Sequence, residues 1–449
     1  MKKIFLLAAV FLIAVSVASA QYVYDSTFTK NAADSLLIVS GNGLHGVAVD
    51  PTGNVWTVNY NTYLKGDSIT DPSTNVTKAF LRLNIWKPDG TPVSFSPLKI
   101  LSGAGVTDTL YKGNSGRGLS TTPDGNILFC WFNNIYLLNY KTGAVIKKIV
   151  ATYTNGTTAA AADLLGDIFV GPVFNNQGPL QMFDNTGAKL ANVTDTTRFF
   201  SRTLTCSRAG DKVYYAGYTS HSIIRYTGDP LGGFTTIDTL LKGFDCEAIA
   251  RSGKSDLIWA SAGSGNDLPN RYGNLKTSYS SHTWYLWNPT TNAIKDSIKW
   301  NGLNSFTTAD SAALRPRGVS TSTNGDTVYV VMFGAKAGMY NIQRFVGPKT
   351  SSVQREDGIV ATNYTLAQNY PNPFNPSTKI KFTLANSASV SLKVYDVLGK
   401  EVATLATGNY TAGAYSVDFD AKNLAAGMYI YTLTTSNGFS QTKKMLLLK

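Results

Sequence analysis

Short runs of alternating apolar and polar residues fill most of this chain, and glycine-containing turns separate them. Period two puts successive side chains on opposite faces of a strand, so the pattern predicts β-structure throughout. Six pairs of runs align on a turn glycine: HGVAVDPTGNVWTV (His45–Val58), RGLSTTPDGNILFC (Arg117–Cys130), TAAAADLLGDIFVG (Thr158–Gly171), RTLTCSRAGDKVYY (Arg202–Tyr215), EAIARSGKSDLIWA (Glu247–Ala260) and RGVSTSTNGDTVYV (Arg317–Val330). The glycines Gly53, Gly125, Gly166, Gly210, Gly253 and Gly325 are spaced by 72, 41, 44, 43 and 72 residues. A second set of turns, at Lys87–Gly90, Lys141–Ala144, Asn185–Ala188 and Thr290–Ala293, joins later runs into hairpins. A repeat of about 40–45 residues with four short strands is the period of a β-propeller blade. One such sheet cannot bury both faces alone, so copies stack about an axis. The expected fold over residues 21–347 is therefore an all-β six-bladed propeller, with seven blades as the alternative. The two long intervals carry insertions, about Asn61–Lys78 and Ser264–His282. The last repeat stops at its third strand, Met339–Gly347, and the leading segment Tyr22–Val39 is expected to supply the fourth and close the ring.

The ends of the chain read differently. Lys2 and Lys3, the apolar run Ile4–Val17 and Ala18-Ser19-Ala20 predict a signal peptide at 1–20 and export to the periplasm. That run is short of the roughly 20 residues a span needs, and no later segment is longer, so no transmembrane segment is expected. Residues 348–364 are polar and read as a flexible linker. Beyond them KIKFTL, VSLKVYDV, AYSVDFD, MYIYTLTT and KKMLLLK alternate again, predicting a small immunoglobulin-like β-sandwich over 365–449.

Two resemblances follow from these residues. The segments TLAQNYPNPFNPSTKIKFTL, SLKVYDVLGKEVATL, AGAYSVDFDAKNLAAGMYIYTL and KKMLLLK resemble the C-terminal sorting domain (type A) of the type IX secretion system. The resemblance implies contact with that machinery, passage across the outer membrane, and release or retention at the cell surface. The central repeats resemble six-bladed propellers of the NHL/SMP-30 type in their G-[VL]-[AS]-x-x-x-x-G turns and their period. That likeness speaks to fold, and a fold does not specify an activity.

Charge and cysteines narrow the field. The formal net charge is +12, yet the central lysines and arginines are scattered, with no basic run beyond Lys147-Lys148. This argues against a nucleic-acid partner. Cys130, Cys206 and Cys246 are an odd set with no C-x-x-C spacing. The repeat alignment sets Cys206 and Cys246 at opposite ends of neighbouring strands, beyond disulfide reach, so buried free thiols are expected.

Candidate chemistry gathers at one end of the repeats. The residues just before the inner strands, His45, Arg117, Thr158, Arg202, Glu247 and Arg317, are expected to ring the mouth of a central channel. Three arginines and a histidine beside one carboxylate make a cationic mouth that favours an anion. His221 and His282 fall in loops of the same face, as do both insertions, with Tyr272 and Tyr279 as stacking candidates for a sugar. The competing reading has the arginines merely pairing with Glu247 or with backbone carbonyls. Trp56, Trp131, Trp259, Trp284 and Trp287 are expected in the core. The candidate ligand-binding set is thus His45, Arg117, Arg202, Glu247, Arg317, His221 and His282, with no catalytic residue and no cofactor assigned. The expected function is a non-catalytic secreted or surface binding protein for an anionic glycan or another anionic or sugar-containing small molecule. The alternative is a metal-dependent hydrolase: resemblance to SMP-30-type lactonases implies calcium or zinc at the mouth, and Glu247 matches their glutamate in type and place. The other acidic or amide ligands have no counterpart here, since arginines stand at several equivalent positions.

Overall fold

The computed structural model describes residues 22–26, 28, 43–60, 67–111, 116–197, 199–217, 219–253, 255–262, 279–280, 282–301, 315–333, 342–347, 353–356, 361–422 and 424–448. The predicted signal peptide lies outside these residues, as do the middle of the second insertion, Tyr272 included, and part of the linker. Every described element is a β-strand. The chain divides into two compact units at Gly347/Pro348.

The first unit contains six antiparallel sheets that follow the six repeats. Sheet I is Leu44–Val49, Val55–Asn59 and Leu83–Trp86; sheet II is Gly116–Thr121, Ile127–Trp131, Asn134–Leu138 and Val145–Val150. Sheet III is Thr157–Ala162, Ile168–Pro172 and Gln181–Phe183; sheet IV is Ser201–Cys206, Lys212–Gly217, Ser222–Asp229 and Gly233–Leu240. Sheet V is Cys246–Arg251, Ile258–Ala262, Thr283–Asn288 and Ala293–Lys299. Sheet VI is Arg315–Thr321, Thr327–Phe333 and Ile342–Val346, and its outer strand is Val23–Asp25 from the start of the chain.

The first strand of each sheet is innermost. These six strands abut one another in the order I, II, III, IV, V, VI and back to I. The sheets do not join edge to edge; they stack through faces. Trp56 and Ile85 of sheet I pack on Phe129 and Leu138 of sheet II. Equivalent cores lie between II and III, III and IV, IV and V, and V and VI. A sixth, with Val47, Val55, Tyr329 and Val331, joins VI to I. Trp56, Trp259, Trp284 and Trp287 are fully buried in these cores, which assigns them to packing. Each fully buried large apolar side chain contributes roughly 1.5–3 kcal/mol. Polar turns pin the strands: in DPTGN, Asp50 accepts bonds from the Thr52 and Asn54 amides at 2.9 and 3.0 Å and from the Trp56 indole at 3.1 Å.

Two expectations need correcting. Sheets I and III have three regular strands instead of four; their outer edges carry only isolated bridges, Trp86–Pro92 and Leu83–Leu98 in I and Phe183–Lys189 in III. In sheet I, Pro92 and Pro97 lack the amide hydrogens that a ladder needs. The linker is also not a featureless tether, because Val353–Glu356 pairs antiparallel with Gly413–Asp420 of the tail. An open strand edge offers a row of unpaired amides and carbonyls, and this short segment satisfies one. The first insertion contains a hairpin, Ser68–Asp71 with Val76–Ala79.

The second unit is two four-stranded antiparallel sheets. One runs Val353–Glu356, Gly413–Asp420, Ser377–Leu384, Thr365–Leu366; the other runs Glu401–Tyr410, Ala388–Tyr395, Gly427–Thr435, Ser440–Leu447. Ile380, Phe382, Val417 and Phe419 of the first pack against Leu392, Val394, Tyr431 and Leu433 of the second.

Candidate functional site: a channel lined by the six inner strands

Each predicted ring residue lies within its inner strand, one or two places in from its start, and each sits at an interruption of the ladder. The register slips between Leu44 and Gly46, around Arg117, between Thr157 and Ala159, between Ser201 and Thr203, between Cys246 and Ile249, and between Pro316 and Val319. A bulge adds a residue without a cross-strand partner and re-aims its side chain. The same device thus recurs six times at one level of the fold. Gly46, Gly118 and Gly318 follow His45, Arg117 and Arg317 for a steric reason. A Cβ there would come within 2.7 Å of the Arg117 carbonyl oxygen, 2.7 Å of Ala159 Cα and 2.8 Å of the Val47 amide. Inner strands approach this closely only without side chains between them.

The inner strands enclose a channel of about 170 Å³, whose wall includes His45, Arg117, Arg202 and Glu247. Arg317 is 1% exposed and lies beside it. Glu247 Oε2 forms ion pairs with Arg202, whose Nε lies 2.9 Å away, and with Arg317 Nη1. Its other oxygen, Oε1, is buried without a hydrogen-bond partner. Arg117 Nη2 donates to the Tyr60 hydroxyl at 3.1 Å. The guanidinium planes rest on aromatic rings: Arg117 on Tyr60 at 5.0 Å, Arg202 on Phe200 and Arg317 on Phe333, each at 4.9 Å. Cation–π contacts of this kind are strongest where water is excluded. Among the described residues, three guanidinium groups stand against one carboxylate in the ring.

His45 is 6% exposed and stacks on Tyr60 at 5.6 Å. Its Nδ1 lies 3.1 Å from the Arg117 carbonyl oxygen. A carbonyl only accepts, so Nδ1 carries the proton in a neutral ring and Nε2 presents a lone pair. Burial, then the positive charges of Arg317, Arg117 and Arg202, hold the imidazolium pKa well below its ordinary value, so the ring is neutral at physiological pH. Nε2 is buried and has no partner.

The other candidates separate. Thr158 Oγ1 donates to the Ser201 carbonyl at 3.2 Å and does not line the channel. His221 pairs through Nδ1 with Asp245, and its carbonyl accepts the amides of Gly243 and Phe244. His282 is buried, and its carbonyl accepts the Trp300 amide at 3.0 Å. Neither histidine is among the described channel-lining residues. Tyr279 packs edge-on against Phe244 at 4.7 Å instead of standing free for a ligand. Among the described residues, no three His, Cys, Asp or Glu side chains converge as a metal site would require. All three cysteines are buried free thiols; burial raises Cys130 and Cys206 to about 12 and Cys246 well above its usual value.

Several wall residues escaped the sequence reading. Arg208 and Arg251 line the channel toward the opposite end, and Arg251 Nη2 donates to the Ala162 carbonyl at 3.1 Å. Tyr60, Phe200 and Phe333 form the aromatic collar. The one available signal is that Tyr60 lies seven residues past a turn glycine and Phe333 eight. The ring is buried, whereas the most exposed wall residues, Pro51 and Thr323, belong to the turns at the other end. Described wall residues therefore meet solvent at that end.

Comparison with known proteins bears chiefly on the second unit, a two-sheet appendage of the kind that serves as an export signal. Residues 368–448 match the family described as the secretion system C-terminal sorting domain, which implies export through the type IX secretion system to the cell exterior or surface. No curated protein matches the chain. Among solved structures, one similar chain is PorZ of Porphyromonas gingivalis, described as an essential bacterial surface component of the type IX secretion system. It is 11% identical with a TM-score of 0.38; the match covers 90% of this chain and 59% of that one. No helix among the described residues is long and apolar enough to cross a membrane.

Proposed function

We propose that the first unit is a six-bladed β-propeller of NHL/SMP-30-like architecture, delivered outside the cell as a non-catalytic binding protein for a small anionic ligand. Six stacked sheets with a cyclic order of inner strands support the architecture. The observation that carries the function is the channel wall. Arg117, Arg202, Arg208 and Arg251 face one cavity with Glu247 as the only carboxylate among the described lining residues. A narrow, low-dielectric channel focuses such charge, and guanidinium groups bind carboxylate or phosphate oxygens in pairs. The metal-dependent hydrolase is less well supported, because Glu247 already faces two guanidinium groups.

The test is thermal stabilisation of the purified protein by phosphate, sulfate, acetate and hexanoate at constant ionic strength. At least one anion should raise the melting temperature in a saturable way. Arg202→Gln, at a side chain that is 17% exposed, should weaken that effect. Stabilisation by none of these anions would end the proposal.

A further inference from the structure

Besides Glu247 Oε2, which faces two guanidinium groups, two buried acceptors in the ring ask for a donor the protein does not supply. His45 Nε2 and Glu247 Oε1 belong to side chains more than nine-tenths buried, both side chains border the channel, and neither atom has a hydrogen-bond partner. Both are acceptors. For Glu247 this holds of any carboxylate; for His45 it follows from the proton held on Nδ1 by the Arg117 carbonyl. Buried polar atoms are almost always satisfied, by protein or by a bound molecule, because a bare one forfeits its hydration with nothing in return. Sulfate or an alkanoate brings only more acceptors and cannot serve these two, and hydrogen phosphate brings few hydroxyls. The occupant therefore carries hydrogen-bond donors as well as negative charge.

From this geometry we infer that the ring selects a small hydroxylated acid. Its carboxylate meets the guanidinium groups, and its hydroxyls donate to His45 Nε2 and Glu247 Oε1. The inference rests on the reading of the channel as an anion site and specifies what that anion must carry. An ammonium group could also donate to both atoms, but it would enter a ring where, among the described residues, Arg117, Arg202 and Arg317 outnumber Glu247, so hydroxyl donors are favoured. Size sets a further limit. The channel volume of about 170 Å³ falls below the roughly 300–1,000 Å³ of pockets for drug-sized ligands. The occupant is thus of monosaccharide size: a uronic or aldonic acid, or the acidic end unit of a longer glycan.

Calorimetry on the intact purified chain distinguishes the cases with four probes. D-glucuronate carries charge and hydroxyls, hexanoate charge alone, D-glucose hydroxyls alone, and L-serine an ammonium in addition to its carboxylate. Glucuronate should bind at least about tenfold more tightly than hexanoate or glucose, since a hydrogen bond to a charged acceptor is worth that factor or more. His45→Phe should collapse the glucuronate-to-hexanoate ratio toward unity; if that variant fails to fold, the ranking in the unmodified protein decides alone. Equal binding of glucuronate and hexanoate would overturn the inference while leaving the anion site standing. Equal binding of glucuronate and glucose would overturn both. Serine binding tightest would replace the hydroxy acid with a zwitterion, and binding of none of the four would refute the hydroxy-acid assignment outright.

Discussion

Keeping His45 neutral has a cost that depends on pH, and it can be measured. In the unfolded chain this imidazole takes up a proton near its ordinary value of about 6.5; in the folded protein burial and three guanidinium groups hold its pKa well below that. The unfolded state therefore binds more protons as the medium turns acid, and stability falls with pH. Above about pH 7.5 the term vanishes, because both states are neutral. Below 6.5 it grows at about 1.4 kcal/mol per pH unit, until the folded-state value is reached. Between pH 7.5 and 5.5 His45 alone should thus remove about 1.4 kcal/mol. The comparison that isolates it is His45→Gln, whose side-chain amide can still donate to the Arg117 carbonyl but does not titrate. Urea unfolding of both proteins across this range cancels every shared group, His221 and His282 included. The variant should lose less stability on acidification, by about that amount. A difference between the two that stays constant from pH 7.5 to 5.5 would show that the buried ring does titrate, and the proton assignment behind the acceptor at Nε2 would fall with it.

Three further outcomes are expected. Deleting Thr365–Lys449 should leave the protein inside the outer membrane, as fractionation and surface proteolysis would show; efficient surface display of the truncation would contradict the sorting assignment. Cys130, Cys206 and Cys246, buried and with raised pKa values, should resist a thiol reagent at pH 8 and all react in denaturant, whereas rapid native labelling would refute their burial. Gly118→Ala puts a methyl where Ala159 Cα is 2.7 Å away. It should destabilise the first unit by about 1–3 kcal/mol, read as a lower urea midpoint with unchanged slope; an unaltered midpoint would mean that the strands part easily.

What the sequence made legible was whatever repeats locally. Gly53 and Gly125 mark tight turns because their backbone φ values are +84° and +93°, which side-chain-bearing residues rarely adopt. Such turns announce strands on both sides, and the His45, Arg117 and Arg317 positions follow from the same spacing. Arg208 and Arg251 did not stand out, because reaching the channel from the far ends of their strands depends on how sheets IV and V stack. Tyr60, Phe200 and Phe333 were overlooked for a similar reason: each supports an arginine from a different repeat or strand position, and spacing from a turn glycine marks only Tyr60 and Phe333. The bulges that aim the ring residues leave no trace in an alternating pattern, and the exposure of Pro51 and Thr323 depends on which end the ring side chains fill. Residues 353–356 looked like tether because a four-residue edge strand carries too little pattern to read alone.

The strand Val23–Asp25 seals sheet VI against Ile342–Val346, and Asp25 there holds Arg344 at 2.6 Å across a sequence separation of 319. A loop that long makes closure a late event, because its entropy must be met before the contact rewards it. The domain therefore acquires its full stability only when its last strand is available, just ahead of the export tail. Any fragment that ends early, or any cleavage behind Asp25, leaves a bare strand exposed to other chains. The clasp at the two ends of the circle thus doubles as a check that the molecule is whole.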